Sequence, residues 1–222
     1  VTGASQVTGF IGSNCYEFNG STDNISVAGT SDLRISGDLT ISVWVRADST
    51  TAGETIVGCG ASGESEANNF LYLLQFDGAG GLRFIHENGS GSDNECETID
   101  MYHDNPTKMD EWTHIVVTRD TTTKKVNWYI NGLHLGEQPY VNNPTGGGSG
   151  SLLIGRLFNS ASAFDGEMDE LAIWNRKLSA AEARQIFDLQ MNGTYSAGSS
   201  SSQAKAWVYG ATQATGKIGS NC

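Results

Sequence analysis

Basic residues and long apolar runs are both scarce in this sequence. Lys and Arg number 13 against 25 Asp and Glu, which gives a net charge of −12 at pH 7. A field of that sign repels the phosphates of nucleic acids and anionic lipids, so neither is expected as a partner. No apolar run approaches the roughly 18 residues of a membrane-spanning helix, and no basic and then apolar leader opens the chain. We therefore expect a soluble protein without membrane insertion, starting after processing or inside a longer polypeptide.

Charged residues of both signs are few, at 17% of 222 residues, whereas an average soluble domain has roughly 25%. Glycine is abundant instead, with 28 copies, and Ser, Thr and Asn fill the connections. This composition is typical of a loop-rich extracellular β protein. The length allows one large β domain or two small ones.

The four cysteines have none of the C-x-x-C spacings of zinc or redox motifs, which argues against a metal cluster. Cys59 closes one apolar run and Cys96 opens another, so a disulfide between neighbouring strands is predicted; the alternative is two buried free thiols. Four Asn-x-Ser/Thr sequons mark candidate glycosylation sites at Asn19, Asn24, Asn88 and Asn192. Cysteines, sequons and low charge together predict a secreted or cell-surface setting.

The two ends of the chain carry the same segment. Val1–Cys15 aligns without gaps on Val208–Cys222, with 11 of 15 positions identical at an offset of 207 residues. We expect one unit at 1–195, a Ser-rich linker at 196–206, and at 207–222 either the start of a second repeat or a tail that donates a strand to a neighbour. In both cases copies of the protein associate end to end, and Cys15 and Cys222 are candidates for a bond between units.

Strict alternation of apolar and polar residues dominates the middle of the chain. Leu39–Arg46 places four aliphatic residues on one face, and Asn131-Gly132 predicts a type I′ hairpin turn. About a dozen such segments predict two packed antiparallel sheets. One helix is predicted from Ser179 to about Leu189, with a Ser179 and Glu182 capping box, lying at an edge of the sandwich.

Several motifs occur in the order seen in laminin-G-like, concanavalin A-like jelly rolls, and the resemblance spans about residues 9 to 190. The matching segments are Phe18–Asp23, Leu39–Val45, Trp112–Thr118, Trp128–Gly132, Leu153–Gly155 and Phe164–Ser179. The resemblance implies an all-β, two-sheet jelly roll with a concave face that some members use to hold glycans. It leaves activity open, because the family includes lectins, adhesion modules and structural repeats.

Catalysis is not expected. Related jelly rolls with glycoside hydrolase activity carry a Glu-x-Asp-x-x-Glu strand, and Glu167 and Asp169 begin this pattern, but Ala172 stands at its last position. A retaining glycosidase needs two carboxyl groups about 5–5.5 Å apart. The sequence therefore predicts a protein that is not an enzyme.

Calcium is the more favoured chemistry. Many similar jelly rolls hold a structural Ca²⁺ where the turn after the first strand meets the last strand, and this maps here onto Asn19, Asp23 and Asp169. Asn19 replaces an Asp often found there, and its sequon would compete with a role as ligand. The alternative is that Asp169 orders a turn by hydrogen bonding.

Glycan binding needs an exposed aromatic platform with polar neighbours. We expect core positions for Trp44, Trp112, Trp128 and Trp174. Candidates for a binding rim are Tyr72, Tyr102, Tyr140 and the acidic loop 100–104, while His103 and His114 are expected to be fillers. The preferred interpretation is a non-catalytic structural or adhesive unit that assembles with copies of itself. The alternative is a carbohydrate-binding module.

Overall fold

Two antiparallel β-sheets face each other across one hydrophobic core. The structure is a computed structural model and describes residues 1–60, 70–78, 80–88, 96–100, 107–145, 150–157, 163–192 and 204–208. Its strands are β1 (Ser5–Thr8), β2 (Asn14–Asn19), β3 (Ile25–Val27), β4 (Leu39–Ala47), β5 (Thr55–Cys59), β6 (Tyr72–Gly78), β7 (Gly81–Glu87), β8 (Cys96–Asp100), β9 (Thr113–Asp120), β10 (Lys125–Ile130), β11 (Leu133–Pro139), β12 (Leu152–Ile154), β13 (Asp165–Trp174) and β14 (Ala204–Val208).

The first sheet has the order β1-β2-β13-β4-β9-β10-β11, with β14 also paired to β13, and the second has the order β3-β12-β5-β6-β7-β8. This confirms the predicted two-sheet antiparallel sandwich. We call the first the helix-bearing sheet, because helix α1 (Ala180–Met191) packs on its outer face. Within the described residues, no helix is long and apolar enough to cross a membrane.

Alternation along β4 positions the core as predicted. Leu39, Ile41, Val43 and Val45 belong to the core cluster between the sheets. Trp44 is also buried, at 2% exposure, but on the other face, where its ring lies 5.6 Å from that of Phe187 in α1. The predicted turn is confirmed as well, because Asn131 and Gly132 both have positive φ, at 50° and 74°.

The helix begins where its capping box predicts. Ser179 accepts from the Glu182 backbone N–H, and the Glu182 carboxylate accepts from the Ser179 N–H at 2.8 Å. The prediction that the helix lies at an edge is wrong. It lies on the outer face of the helix-bearing sheet, where Ala183 packs against Val116 and Tyr129.

Two distant segments share one edge of β13. β2 pairs with its first half, with Asn19 opposite Asp165, and β14 pairs with its second half, with Val208 opposite Leu171. The segment predicted as linker, 196–206, therefore ends in a strand, because the backbone of 204–206 already pairs with β13. Residues 209–222, which make up nearly all of the second copy of Val1–Cys15, lie outside the described residues.

The predicted Cys59–Cys96 disulfide is wrong in this structure. β6 and β7 separate β5 from β8, so the two backbones stand roughly 14 Å apart, whereas a disulfide needs Cα atoms within about 7 Å. Cys59 is a buried free thiol, and burial raises its pKa to about 11.

Cys15 is also a buried free thiol, with its Sγ 3.4 Å from the Thr8 carbonyl oxygen. Burial, reinforced by the charges of Glu167 and Asp169, raises its pKa to about 12. A bond between units through Cys15 therefore requires β1 to move first. Cys222 lies outside the described residues.

Candidate functional site

The turn between β1 and β2 is held onto the helix-bearing sheet by one carboxylate. Asp169 is 1% exposed, and its Oδ2 accepts from the backbone N–H groups of Phe10 and Ile11 at 3.1 and 2.8 Å. Its Oδ1 accepts from the Glu170 N–H at 2.9 Å. Backbone donors that converge on a buried carboxylate fix a loop tightly. Asp169 therefore orders a turn, which is the alternative that the sequence left open.

The anchored turn carries Phe10 into a row of aromatic rings on the outer face of the sheet. The Phe10 ring lies 5.2 Å from that of Trp112, nearly parallel at 17°, and 4.9 Å from that of Trp44. Phe10 remains 41% exposed, and Trp112 is half-buried. Among the aromatic side chains whose burial the structure describes, Phe10 is the most exposed.

Strand register places an ion pair on the same face of the sheet as these rings. Arg46 donates from Nε to Glu167 Oε2 at 2.7 Å, with 36% of the Arg46 side chain and 12% of the Glu167 side chain exposed. Glu167 in β13 lies opposite Arg46 in β4. On the other side of β4, Val45 pairs with Thr113 in β9, so the register places Trp112, the residue before Thr113, next to Arg46. The hydrogen bond to Glu167 raises the pKa of Arg46 further above its ordinary value, so its charge is fixed.

We define the Phe10 surface as Phe10, Trp112, Arg46 and Glu167. It combines an exposed aromatic ring with a planar donor group, the Arg46 guanidinium, which Glu167 holds in place. Such a combination suits a ligand with one apolar face and many hydroxyls, because the ring can pack on C–H groups while Arg46 donates hydrogen bonds at the rim.

The aromatic side chains that the sequence singled out lie mostly elsewhere. Trp44, Trp128 and Trp174 are buried at 2%, 1% and 7% exposure, as expected, whereas Trp112 is not a core residue. Tyr72 and Tyr140 are not rim residues, because their hydroxyls are buried and donate to the carbonyls of Leu33 and Asp120. Tyr102, His103 and the loop 101–104 lie outside the described residues.

A family model described as the concanavalin A-like lectin/glucanases superfamily matches residues 19–184. This chain belongs to that superfamily. The family resemblance predicted from the motifs is thereby confirmed. No curated protein sequence matches the chain significantly.

Three solved structures illustrate the similarity of fold. Domain 4 of AbnA, an extracellular arabinanase of Geobacillus stearothermophilus solved with arabinotriose, is 20% identical at a TM-score of 0.62, with 84% of this chain and 82% of that one covered. The CBM40 domain of a Ruminococcus gnavus sialidase, solved with α2,3-sialyllactose, is 15% identical at a TM-score of 0.58, with 75% of this chain and 96% of that one covered. The receptor-binding domain of botulinum neurotoxin type G is 17% identical at a TM-score of 0.58, with 85% of this chain and 45% of that one covered.

Glu167 and Asp169, which begin the glycoside hydrolase pattern in the sequence, do not form a catalytic pair in the structure. Glu167 is bound to Arg46, and Asp169 is bound to the Phe10 turn. Ala172 packs with Trp174 and Leu178. Glu167 and Asp169 are therefore not available as the acid and nucleophile of a glycosidase, because each carboxylate is held by a structural contact.

A second arrangement resembles catalytic machinery but is sealed. Ser42 Oγ and His114 Nε2 are 2.9 Å apart, yet they are 1% and 0% exposed beneath α1. Burial lowers the pKa of His114 to about 3, so the imidazole is neutral. No substrate reaches this hydroxyl, and His114 is a core filler, as predicted.

The three predicted calcium ligands do not come together. Asn19 Oδ1 accepts from the N–H groups of Ser21, Thr22 and Asp23, while Asp23 accepts from the Asn19 N–H at 3.2 Å. Asp169 lies four residues beyond Asp165, the partner of Asn19 in β2–β13 pairing, which is roughly 13 Å along the strand. Among the described residues no group of three acidic, His or Cys side chains is placed to hold a metal. Calcium binding by the chain stays a prediction.

The four sequon asparagines are in different environments. Asn19 is exposed but its amide is used in the turn described above, and Asn24 donates to the Thr22 carbonyl at 3.2 Å. Asn88 follows β7 and is half-buried. Asn192 is exposed and caps α1 through the Asp188 carbonyl. Glycosylation at these positions stays a prediction.

Glu170, which follows Asp169 in β13, has a strained backbone conformation. It forms the bulge of β13 opposite β4, has a positive φ of 48°, and is 9% exposed. Burial, followed by the neighbouring charge of Asp169, raises the pKa of Glu170 to about 7. The folded state thus binds a proton more tightly than the unfolded state, so the stability from protonated Glu170 is complete below pH 4.5 and is lost as the pH rises to 7.

Glu170→Gln is therefore expected to stabilise the fold at pH 8 by roughly 2–3 kcal/mol and to have little effect at pH 4.5. Urea unfolding of both proteins from pH 4.5 to pH 8 measures the difference. Glu111→Gln, at a side chain that is 66% exposed, is the control and should leave the pH profile unchanged. Parallel profiles of wild type and Glu170→Gln would contradict the prediction.

Proposed function

We propose that this chain is a non-catalytic, lectin-like module that binds carbohydrate outside the cell. The observation that carries the proposal is the exposed Phe10 ring on the face of the sheet that also presents the Arg46–Glu167 ion pair. Two of the similar folds were solved with oligosaccharides bound, arabinotriose and α2,3-sialyllactose. Their low identity to this chain makes them support for the proposal by analogy of fold.

Residues of β13, β4 and β9 support the non-catalytic part of the proposal. The carboxylates of Glu167 and Asp169 are committed to Arg46 and to backbone N–H groups, and the Ser42–His114 pair is enclosed. A hydrolase needs an accessible acid and base with opposed pKa values. The low charge and the sequons support a secreted or cell-surface location.

A glycan array tests the proposed function directly. The full chain, labelled at its amino groups, is expected to bind a limited set of oligosaccharides, and titration calorimetry of the strongest should give saturable binding without release of product. No saturable binding to any glycan would refute the carbohydrate-binding function. Turnover of the bound sugar would refute its non-catalytic character.

Assembly with other copies is the second candidate function, favoured by the duplicated segment. The positions that the N-terminal hairpin needs are identical in the second copy: Gly3 and Gly12 have positive φ, and a Cβ at Gly9 would lie 2.7 Å from the Asn14 backbone. Gly210, Gly216 and Gly219 occupy the aligned positions. Sequence conserved at backbone-critical positions supports the same hairpin fold in the second copy.

Sedimentation of the full chain at rising concentration tests this second candidate. End-to-end oligomers are expected for wild type and should be lost in the double variant Gly216→Val, Gly219→Val, with Ser200→Ala as control. Monomers at every concentration would count against association through the second copy.

A further inference from the structure

We infer that the Phe10 surface is the carbohydrate site of this module and that it takes an uncharged glycan, with residue 10 deciding affinity. The inference rests on the proposed carbohydrate-binding function and goes further by assigning the place and the ligand class. Three independent features carry it: the difference between the two copies at position 10, the free donors of Arg46, and the charge around the site.

The first feature comes from the internal repeat. The four differences between the copies fall at Thr2, Ser5, Val7 and Phe10, and Lys217 stands opposite Phe10. The turn is held through the backbone N–H groups of Phe10 and Ile11, not through the Phe10 ring. The hairpin therefore does not need an aromatic residue at this position. The Phe10 ring packs on Trp44 and Trp112 and leaves 41% of the residue exposed, so it adds an accessible aromatic face that the backbone anchoring of the turn does not call for.

The second feature is the hydrogen-bonding capacity next to the ring. Arg46 uses Nε for Glu167, and within the described part of the chain its two terminal NH₂ groups make no hydrogen bond. Glu167 holds the guanidinium plane in one orientation, so less entropy is lost when those groups donate to a ligand. Sugar hydroxyls accept such bonds while the C–H face of the ring packs on Phe10.

The third feature is electrostatic and selects the ligand class. Glu167 balances the Arg46 charge, and Glu17 lies opposite Glu167 in the sheet. Asp110 and Asp48 both contribute negative potential at Arg46. With the net charge of −12 for the whole chain, this side of the protein repels a carboxylated or sulfated sugar. A neutral glycan carries no such cost.

Titrations of four proteins test the inference: wild type, Phe10→Lys, Trp112→Ala and Phe70→Ala. Phe10→Lys introduces the residue found at the aligned position of the second copy. Because the turn is anchored through backbone N–H groups, its fold should be retained, as checked by circular dichroism and thermal midpoint. Phe70 is a half-buried aromatic residue just before β6 of the other sheet, which makes Phe70→Ala the matched control. The probes are the neutral oligosaccharide with the strongest array signal, arabinotriose, and α2,3-sialyllactose as the acidic sugar.

We expect the neutral array probe to bind wild type and Phe70→Ala equally, and Phe10→Lys and Trp112→Ala at least tenfold more weakly. Unchanged affinity in folded Phe10→Lys would overturn the inference and leave the proposed function standing. Binding of acidic sugars alone would overturn the neutral class. If no sugar binds wild type, the proposed function and the inference fail together.

Discussion

Replacing Arg119 by leucine is expected to lower the free energy of unfolding by about 3–5 kcal/mol, one of the two largest effects of a single change in this fold. Arg119 is 0% exposed and donates to the carbonyl oxygens of Ile35, Gly37 and Leu71 at 2.6–3.1 Å. Its guanidinium also lies 5.9 Å from the centre of the Phe84 ring. One side chain therefore joins the segment before β4 to both sheets.

The cost arises mainly from what leucine leaves behind. The buried carbonyl oxygens of Ile35 and Leu71 would lose their donors, and each such loss costs about 1–3 kcal/mol, offset in part by the removal of a buried charge. The more exposed Gly37 carbonyl would lose its donor at a smaller cost. That charge is expensive, since burial lowers the pKa of Arg119 to about 10. Arg119→Lys is expected to be intermediate, because an ammonium cannot reach three carbonyls with one planar fork.

Urea unfolding at pH 7 measures these differences. Arg184→Leu is the control, since Arg184 lies exposed on α1 and pairs with Asp188; its midpoint should stay close to that of wild type. If Arg119→Leu unfolds at the same urea concentration as Arg184→Leu, the carbonyl contacts do not stabilise the fold as argued.

The second large effect is expected at Gly166, where alanine should cost roughly 3 kcal/mol or more. Gly166 has a φ of 131°, and a Cβ there would clash with the Arg46 carbonyl oxygen and stand 2.9 Å from the Ala47 Cα. β4 and β13 are paired at this point, with Gly166 opposite Ala47. Two central strands would have to separate to admit one methyl group.

Gly37→Ala is the matched control, because nothing lies within 4 Å of a Cβ at Gly37 and its φ is ordinary. Thermal unfolding is expected to show a clear fall in midpoint for Gly166→Ala and almost none for Gly37→Ala. A soluble Gly166→Ala protein should also bind sugar more weakly, since Arg46 and Glu167 flank the disturbed position. Equal midpoints for the two variants would show that the strand pair tolerates the methyl group.

Local sequence rules predicted most of the fold. Alternation placed the β4 core residues, Asn131-Gly132 located a hairpin, and the capping box located the start of α1, because each feature depends on neighbours a few residues away. Sheet order does not depend on neighbours in sequence. The predicted disulfide was wrong for that reason. Cys59 ends one apolar segment and Cys96 begins another, but two strands lie between them in the sheet.

The candidate site was largely beyond prediction. Phe10 is exposed because its turn is bound to Asp169, 159 residues later in the chain, and no local pattern announces such a contact. Trp112 was expected in the core because it adjoins an alternating strand, yet it lies just before β9 begins. One available signal was the repeat itself, whose mismatch at Phe10 and Lys217 sets that position apart from the conserved glycines.

The anchoring of the β1–β2 turn through main-chain groups has a practical consequence. Asp169 accepts hydrogen bonds from backbone N–H groups, which every residue except proline has. The side chain at position 10 can therefore be varied while the turn stays anchored. Position 10 is thus a natural place for diversification by mutagenesis, and under the proposed function a small library there is expected to change glycan affinity while the Asp169 contacts persist.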